Sequence, residues 1–346
     1  MRISASAPSK IHIAGEHSVV YGGLALMAPV EILGKRNRIV LEVSDGSGQF
    51  VFTGDLGTAT MLPGGTMQGA EIYYGMFESV KKVFEKTSFS LSGSGKKFSA
   101  TLYYSDAPKG TGNSASIPAA LSAALYEYFG KTPSKEELFA AAYATDNVYH
   151  AGKSSGGDPR AVVSDKPLLF KKVFSEGKIT FDYKDAVLEL PAGTALLLVD
   201  SYRSGEKGNT GVLVQTFAKN KTISKPPLEM SDEERKTITA PFDDVVKKIV
   251  EQCKPSGSAE KLASLLEENH SLLRDAGVSS EDIEECLSVA KGAGALGGKL
   301  IGAGGNGGAV IILCKNEKIA SVKNALEQNK FTVYPFNFAS KGASVD

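Results

Sequence analysis

The apolar residues of the first half of the chain alternate with a period of two in several short stretches. Ile11 and Ile13, for example, are separated by polar or small residues, a spacing that predicts a half-buried strand. The same reasoning predicts strands at 10–15, 24–30, 38–43, 50–52 and 98–104. Apart from 50–52, residues 44–69 are rich in Gly, Ser and Thr and are predicted to be loop.

Between these strands lie segments whose apolar residues recur about every 3.6 residues. This spacing predicts helices at 71–85, from Ile117 to a stop at Gly130, and at 134–150. The last of these opens with Ser134 and Glu137, the spacing of a capping box. Apolar alternation then resumes at 168–173 and 179–183, which predicts a hairpin.

A shift of composition near residue 185 predicts two domains, 1–185 and 186–346, with the last strand a candidate to return to the first domain. The second half is predicted to contain strands at 194–199, 309–314 and 331–337 and helices at 240–252, 258–274, 279–291 and 316–328. This order suits an open α+β sandwich of the ferredoxin-like kind. Residues 203–236, polar and with a Pro-Pro pair, are predicted to be irregular or mobile.

Composition excludes several classes of protein. Lys plus Arg and Asp plus Glu each number 39, and no basic patch stands out, so we expect no nucleic-acid partner. The three cysteines have no metal-binding spacing and favour a reducing compartment. The N-terminus lacks an apolar segment of the signal-peptide kind, and no apolar run is long enough to span a bilayer. We therefore expect a cytoplasmic protein without a membrane partner.

The stretch Pro108-Lys-Gly-Thr-Gly-Asn-Ser-Ala-Ser116 is the first candidate site. Its small residues let the backbone approach a ligand closely, and a helix follows directly. Free N–H groups and the positive end of a helix dipole then favour phosphate. The alternative is a Gly/Ser turn before an ordinary core helix.

Two later turns are also rich in small residues. Residues 151–158 end in the carboxylate of Asp158, which is a candidate functional group. The alternative is that Asp158 and Pro159 are simply a turn-forming pair. Residues 292–308 contain so many glycines that a helix or strand throughout would be costly, about 1 kcal/mol per glycine relative to alanine. Such runs occur where backbones approach something closely, and a packing turn between domain elements is the alternative.

Six stretches distributed over essentially the whole chain carry a resemblance to a known family. They are Ala7-Pro-Ser-Lys10 with Gly15-Glu-His-Ser-Val-Val-Tyr-Gly22, Asp106 to Ser116, Gly152-Lys-Ser-Ser-Gly-Gly-Asp158, Asn269 to Val278, Gly302-Ala-Gly-Gly-Asn-Gly-Gly308 and Ala343-Ser-Val-Asp346. In this order they resemble the motifs of the GHMP kinase superfamily, most closely those of its mevalonate-phosphorylating members. The resemblance implies a two-domain α+β fold, with an N-terminal β/α domain and a C-terminal ferredoxin-like α/β sandwich.

The chain departs from the family pattern at several positions. Its phosphate loop is two residues short when the following helix is kept in register, which places Ser114 at the family's second serine; counting forward from Pro108 would place Ser116 there. Asn147 stands where the family has a magnesium-binding glutamate, and Asp146 lies beside it. Ser9 replaces a glycine, and Ile301 replaces a threonine.

The resemblance assigns roles to the matching residues. Asp158 would orient or deprotonate the substrate hydroxyl, with Lys10 neutralising charge beside it. The ATP phosphates would be bound by Lys109, Gly110, Thr111, Gly112, Asn113, Ser114, Ala115 and Ser116. Mg²⁺ would be held by Ser114 with Asn147 or Asp146, and the substrate by Glu16, His17, Thr210, Gly304 and Gly305.

Each of these side chains also has an ordinary structural explanation. Lys10 could be a solvated lysine at a strand end, His17 a packed or surface histidine, and Asp146 a charge on the outer face of its helix. The resemblance implies an ATP- and Mg²⁺-dependent kinase of the mevalonate 5-hydroxyl, in a family whose members often form homodimers. The alternatives are a sister kinase of another hydroxy acid, its phosphate or a sugar, and a protein of this fold that binds ligands without catalysis.

Overall fold

The computed structural model describes residues 1–205 and 207–346. Its α-helices are α1 (Met76–Thr87), α2 (Asn113–Tyr128), α3 (Lys135–Tyr149), α4 (Gly157–Val163), α5 (Thr210–Asn220), α6 (Asp232–Gln252), α7 (Ala259–Asp275), α8 (Glu281–Gly292) and α9 (Ile319–Gln328). Its strands are β1 (Arg2–Ala7), β2 (Ser9–Ala14), β3 (Leu24–Ile32), β4 (Asn37–Asp45), β5 (Gln49–Gly54), β6 (Gly57–Met61), β7 (Met67–Gly69), β8 (Lys96–Tyr103), β9 (Leu168–Ser175), β10 (Lys178–Asp185), β11 (Thr194–Asp200), β12 (Gly297–Ile301), β13 (Ala309–Lys315), β14 (Thr332–Tyr334), β15 (Phe336–Phe338) and β16 (Ser344–Val345).

The strands form three sheets. The first has the order β16-β1-β4-β8-β5-β6-β7, and α1, α2 and α3 pack together over it. The second has the order β10-β9-β3-β15, with β2 also paired to β3. The third, β12-β13-β11-β14, is covered by α7, α8 and α9. Because β15 pairs with β3 and β16 with β1, the end of the chain lies in the two sheets that the N-terminal half begins.

The capping box predicted at the start of α3 is confirmed. The Ser134 hydroxyl accepts a hydrogen bond from the Glu137 N–H, and the Glu137 carboxylate accepts one from the Ser134 N–H. The hairpin predicted at 168–173 and 179–183 is also confirmed, as the paired strands β9 and β10.

The strand predicted at 50–52 is confirmed within β5, but much of the rest of 44–69, which was predicted to be loop, is also strand. Strands β6 and β7 follow β5 and form with it an antiparallel ribbon at the edge of the first sheet. Phe50, Phe52, Ala59 and Met61 are buried on the side of the helices. Their period of two was present in the sequence, but Gly, Ser and Thr between them obscured it.

Residues 207–236 are likewise more regular than predicted, while Glu206, which falls in the same predicted segment, lies outside the described residues. The Asn209 side chain accepts hydrogen bonds from two N–H groups of α5 and fixes its start. Ser231 and Glu234 form a second capping box, so α6 begins well before the predicted residue 240. Polar composition suggested irregular chain, whereas both helix starts carry ordinary capping residues.

The glycine-rich stretch 292–308 contains a fully buried strand, β12, that the sequence did not reveal. A Cβ on Gly297 would lie 3.0 Å from the Ala263 carbonyl oxygen of α7, and one on Gly298 would lie 2.6 Å from the Ile311 carbonyl oxygen of β13. The cost of glycine in a strand is therefore offset by the close approach of a helix and a neighbouring strand. β1 was also missed.

Within the described part of the chain, no helix has both the length and the apolar character needed to cross a membrane.

Candidate active site

A cleft of about 310 Å³ lies where the N-terminus of α2, the end of α3 and the start of α4 face the turn after β2. It brings together residues that are far apart in the sequence. Those among the predicted site residues that line it are Lys10, Glu16, His17, Lys109, Gly110, Thr111, Gly112, Asn113, Ser114, Asp146, Asp158 and Thr210. Ala115, Ser116, Asn147, Gly304 and Gly305 are not among its lining residues.

The N-terminus of α2 opens into this cleft. The helix begins at Asn113 rather than at the predicted Ile117, because Gly112 takes a left-handed conformation with φ of 88° and starts the helical turn. No described side chain caps the helix, and its first two residues, Asn113 and Ser114, line the cleft at the positive end of the helix dipole. The N–H groups of Ala115 and Ser116 donate to the Gly112 carbonyl oxygen. This arrangement suits the binding of phosphate.

Gly112 also makes room for Lys10. A Cβ at this position would lie 2.8 Å from Cγ of the lysine, and the backbone N–H of Lys10 donates to the Thr111 carbonyl oxygen at 2.8 Å. The Thr111 hydroxyl donates to the Pro108 carbonyl oxygen, which closes the loop on itself. The small residues of the loop are thus needed both for the ligand and for the lysine beneath it.

Asn37, at the start of β4, fixes the loop from behind. Its amide nitrogen donates to the side-chain oxygens of Asn113, at 3.0 Å, and Ser116, at 2.5 Å, while its amide oxygen accepts from the Ser105 N–H. Ser116 is fully buried by this contact, whereas Ser114 lines the cleft. The geometry favours Ser114 over Ser116 as the ligand-facing serine.

Lys10 and Asp158 form an ion pair in the cleft, with Nζ 3.1 Å from Oδ2. The side chain of Lys10 is only 2% exposed, so it is not the solvated lysine of the alternative explanation. Burial raises the pKa of Asp158 above its ordinary value, and the Lys10 ammonium opposes that shift. Asp158 is therefore a carboxylate of increased basicity held beside a cation.

Asp146 is buried rather than on the outer face of α3. Its Oδ1 accepts a hydrogen bond from the Ser114 hydroxyl at 2.6 Å, and its Oδ2 accepts one from the Ser154 hydroxyl. Burial lowers the pKa of His150, but the Asp146 carboxylate, the contact with the Asp146 carbonyl oxygen and the Asp158 carboxylate together outweigh it, and the pKa of His150 is raised overall. Asn147 points elsewhere: its side-chain oxygen accepts from the Ser154 N–H at 3.3 Å.

Glu16 forms an ion pair with Lys299 of β12, and both side chains are almost completely buried. Burial raises the pKa of Glu16 and lowers that of Lys299, while the attraction between the two opposes both shifts. Glu16 Oε2 has no hydrogen-bond partner among the described residues. One carboxylate oxygen of Glu16 is therefore held by the protein, and the other is left unpaired.

His17 lies at the opposite wall, stacked on Phe217 of α5 with ring centroids 5.1 Å apart. Its Nε2 is 3.1 Å from the Ala303 carbonyl oxygen, and burial lowers its pKa to about 4. Thr210, the first residue of α5, lines the same wall. Gly304 and Gly305 lie behind it, where the Gly305 N–H donates to the Val278 carbonyl oxygen.

Sequence reasoning missed three side chains of this region. Lys299 was not singled out because it lies in a glycine-rich stretch. A single charged residue next to apolar residues of a buried strand could have indicated an ion pair with a buried residue of opposite charge. His12 was identified only as a polar position of β2, yet it is buried and lines the cleft. Lys172 of β9 is also buried and donates to the Ser154 carbonyl oxygen at 2.7 Å. No local motif marked it.

The arrangement combines a phosphate-binding helix terminus, a hydroxyl and a carboxylate suited to a hard cation, and a basic carboxylate beside an ammonium group. These are the parts that phosphoryl transfer to an alcohol needs, since it depends on positioning and charge neutralisation more than on a strong base.

Two profiles of one protein family match this chain. The GHMP kinases N terminal domain matches residues 76–166, and the GHMP kinases C terminal domain matches residues 245–332. Together they span more than half of the 346 residues. The first match contains α2, α3 and Asp158, and the second contains β12 and β13.

Curated relatives match over most of their length. A mevalonate kinase of Pyrococcus furiosus is 29% identical over 345 residues, which cover 92% of this chain and 91% of the relative. A mevalonate kinase of Aeropyrum pernix is 28% identical over 349 residues, which cover 99% and 98%.

A solved structure supports the same fold. The crystal structure of L. major mevalonate kinase in complex with R-mevalonate superposes with a TM-score of 0.69 and 22% identity, and covers 98% of this chain and 97% of that one. The predicted two-domain α+β fold of the GHMP kinases is confirmed.

Proposed function

We propose that this chain, which belongs to the GHMP kinases and is an ATP-dependent phosphotransferase, transfers the γ-phosphoryl group of ATP to the primary 5-hydroxyl of mevalonate. The observation that carries the proposal is the Lys10–Asp158 ion pair facing the free N-terminus of α2 across one cleft. The choice of acceptor is supported by relatives named mevalonate kinase that match nearly the whole chain.

The ATP phosphates would lie against the first turn of α2. Its N–H groups and helix dipole attract the negative charge, and the half-buried Lys109 adds a cation at the same wall. Burial, with the positive charge of Lys207 nearby, lowers the pKa of Lys109 below its ordinary value.

The residues present fit Mg²⁺. Mg²⁺ prefers oxygen ligands and is usually held by one or two carboxylates together with substrate phosphates. The Ser114 hydroxyl and the Asp146 carboxylate supply such oxygens, 2.6 Å apart, next to the proposed phosphate site. The bound ion would supply charge neutralisation on the phosphates. Asp146 thus replaces the glutamate that the resemblance led us to expect at position 147.

Asp158 would accept the proton of the attacking hydroxyl. Its raised pKa makes it a better base than an exposed aspartate, while the Lys10 ammonium opposes the shift and favours the ionised carboxylate. Lys10 also neutralises charge that develops as the hydroxyl oxygen attacks. The neutral His17 ring and the Thr210 hydroxyl at the far wall would contact the polar groups of the acceptor.

The acceptor is tested by measuring ADP release with ATP, Mg²⁺ and one acceptor at a time: mevalonate, phosphomevalonate, galactose or none. We expect turnover that depends on mevalonate. Turnover with another acceptor alone would establish a sister kinase, and ligand binding without ADP release under any condition would establish a non-catalytic binding protein.

The metal assignment is tested by replacing Asp146 with asparagine. We expect the Mg²⁺ concentration for half-maximal activity to rise at least about tenfold, because even the loss of an outer partner of a metal ligand weakens metal binding by that factor. In Asn147→Ala, whose side chain lies outside the cleft lining, we expect a shift below about twofold. The reverse ranking would return the metal site to Asn147.

We also propose that the protein is cytoplasmic and forms a homodimer. The three cysteines are free and buried, as is usual in a reducing compartment.

A further inference from the structure

The ammonium group of Lys10 has three hydrogen-bond donors and three acceptors around it. Asp158 Oδ2 lies 3.1 Å from Nζ, the Gly110 carbonyl oxygen 3.0 Å, and His12 Nδ1 3.1 Å. Because a lysine ammonium carries three protons and cannot accept, this set satisfies it completely. Two of the acceptors belong to the site already described, and the third comes from a residue to which we have assigned no role.

The contact fixes the protonation of His12. Only an unprotonated Nδ1 can accept from Lys10, so the ring is neutral and its proton is on Nε2. Burial, followed by the neighbouring Lys10 and Lys299, lowers the pKa of His12 well below its ordinary value, which favours the same neutral form. His12 as a whole residue is 5% exposed.

The other nitrogen of the ring makes no use of its proton. Nε2 is buried and has no hydrogen-bond partner among the described residues. An unmade hydrogen bond of a buried polar group costs about 1–3 kcal/mol. An apolar side chain at this strand position would not incur this cost. In the structure, the contact between Nδ1 and Lys10 is the interaction of the ring that can offset it.

The aliphatic part of the Lys10 side chain is packed as closely as its ammonium group. It passes over Gly112, where a Cβ would lie 2.8 Å from Cγ and 3.0 Å from Cε. With the stem against the phosphate loop, the direction of the ammonium group depends on its three acceptors. Removing one of them frees the head to turn away from Asp158.

We propose that His12 is a positioning residue for phosphoryl transfer: through Nδ1 it holds the Lys10 ammonium between Asp158 and the phosphate loop. His12 acts on the reaction through Lys10 and does not itself touch the reacting atoms. The inference rests on the proposed function, in which Lys10 neutralises charge at the attacking oxygen.

Two amide substitutions separate the roles of the ring nitrogens. In His12→Asn the amide oxygen reaches the place of Nδ1 and can still accept from Lys10; in His12→Gln the amide reaches the place of Nε2 and leaves the place of Nδ1 empty. With the acceptor that supports turnover, we expect His12→Asn to keep kcat within about threefold of wild type. We expect His12→Gln to lose about 10- to 100-fold in kcat with little change in the KM for ATP, as a misplaced catalytic group does.

Equal activity of the two variants, or higher activity of His12→Gln, would overturn the proposal. So would a loss that appears in the KM for ATP with kcat unchanged. Thermal melts of both variants identify any loss of activity that reflects unfolding.

A second measurement needs no turnover and reports on the wild-type protein. Nitrogen-15 NMR of the histidine-labelled protein distinguishes a ring protonated on Nε2 from one protonated on Nδ1, and the signal of His12 is assigned by its disappearance in His12→Asn or His12→Gln. We expect the neutral form with the proton on Nε2. A proton on Nδ1 would exclude the contact with Lys10 and overturn the proposal, whatever the acceptor substrate proves to be.

Discussion

Replacing Asp158 with asparagine is expected to lower kcat by about 10²- to 10⁴-fold, the range that a positioned proton acceptor contributes. Asparagine keeps the size of the side chain and a hydrogen bond to Lys10 but cannot take a proton. The KM for ATP is expected to change little, because the proposed site of the phosphates is the N-terminus of α2 rather than Asp158. The measurement is steady-state turnover, with a thermal melt to show that the variant is folded.

Asp182→Asn is the matched control, since Asp182 lies exposed on β10 away from the cleft. Its kcat is expected to equal that of the wild type. Activity of Asp158→Asn within a few-fold of that control would remove Asp158 from the mechanism.

The pH profile gives the same residue a second test. Burial raises the pKa of Asp158 above 3.8, and the proposed mechanism uses the ionised form. Activity should therefore be lost as the pH falls through a value higher than that of an ordinary aspartate. An acid limb at or below the ordinary value would show that the buried carboxylate is not the group that titrates.

Replacing Lys299 with methionine is expected to destabilise the protein by about 3–5 kcal/mol, the cost of leaving one charge of a buried ion pair without its partner. Glu16 is 1% exposed, and its second oxygen is already without a partner among the described residues. Without Lys299, burial would raise the pKa of Glu16 further, so the folded state would bind a proton that the unfolded state releases.

The stability of Lys299→Met should therefore be greatest at low pH and fall as the pH rises through the folded-state pKa of Glu16. Urea unfolding at pH values from about 5 to 8 measures this dependence, which the raised pKa predicts. The double variant Glu16→Leu/Lys299→Met should recover much of the lost stability and lose the pH dependence that Glu16 causes, because neither charge of this pair remains. If Lys299→Met were as stable as the wild type at every pH, the ion pair would have no part in holding β12 against the turn after β2.

The sequence predicted best those features that depend on neighbouring residues. The capping box at Ser134 and the hairpin of β9 and β10 follow from local spacing, and the loop before α2 was located through its glycines. It predicted poorly where distant chain segments decide the outcome. Glycine is needed in β12 because α7 and β13 approach Gly297 and Gly298 closely. These neighbours are distant in the sequence, so the strand could not be predicted from residues 292–308 alone.

The same distinction applies to the site. The resemblance placed Lys10 and Asp158 on motifs, and the fold brings them to 3.1 Å. The choice between Asp146 and Asn147 could not be made from the sequence, because adjacent residues of a helix face different directions and only the packing of α3 decides which one faces Ser114. The Lys10 contact of His12 depends on the side-chain directions of one strand and one loop, and no motif marks it.

The position of the phosphate in the product tests the central claim most directly. After reaction with ATP, Mg²⁺ and mevalonate, phosphorus–proton correlation NMR should show a phosphate coupled to the C5 methylene protons, and Asp158→Asn should form almost none of this product. A phosphate on the tertiary 3-hydroxyl, or ADP without any phosphorylated mevalonate, would contradict the assignment of this cleft to 5-phosphorylation.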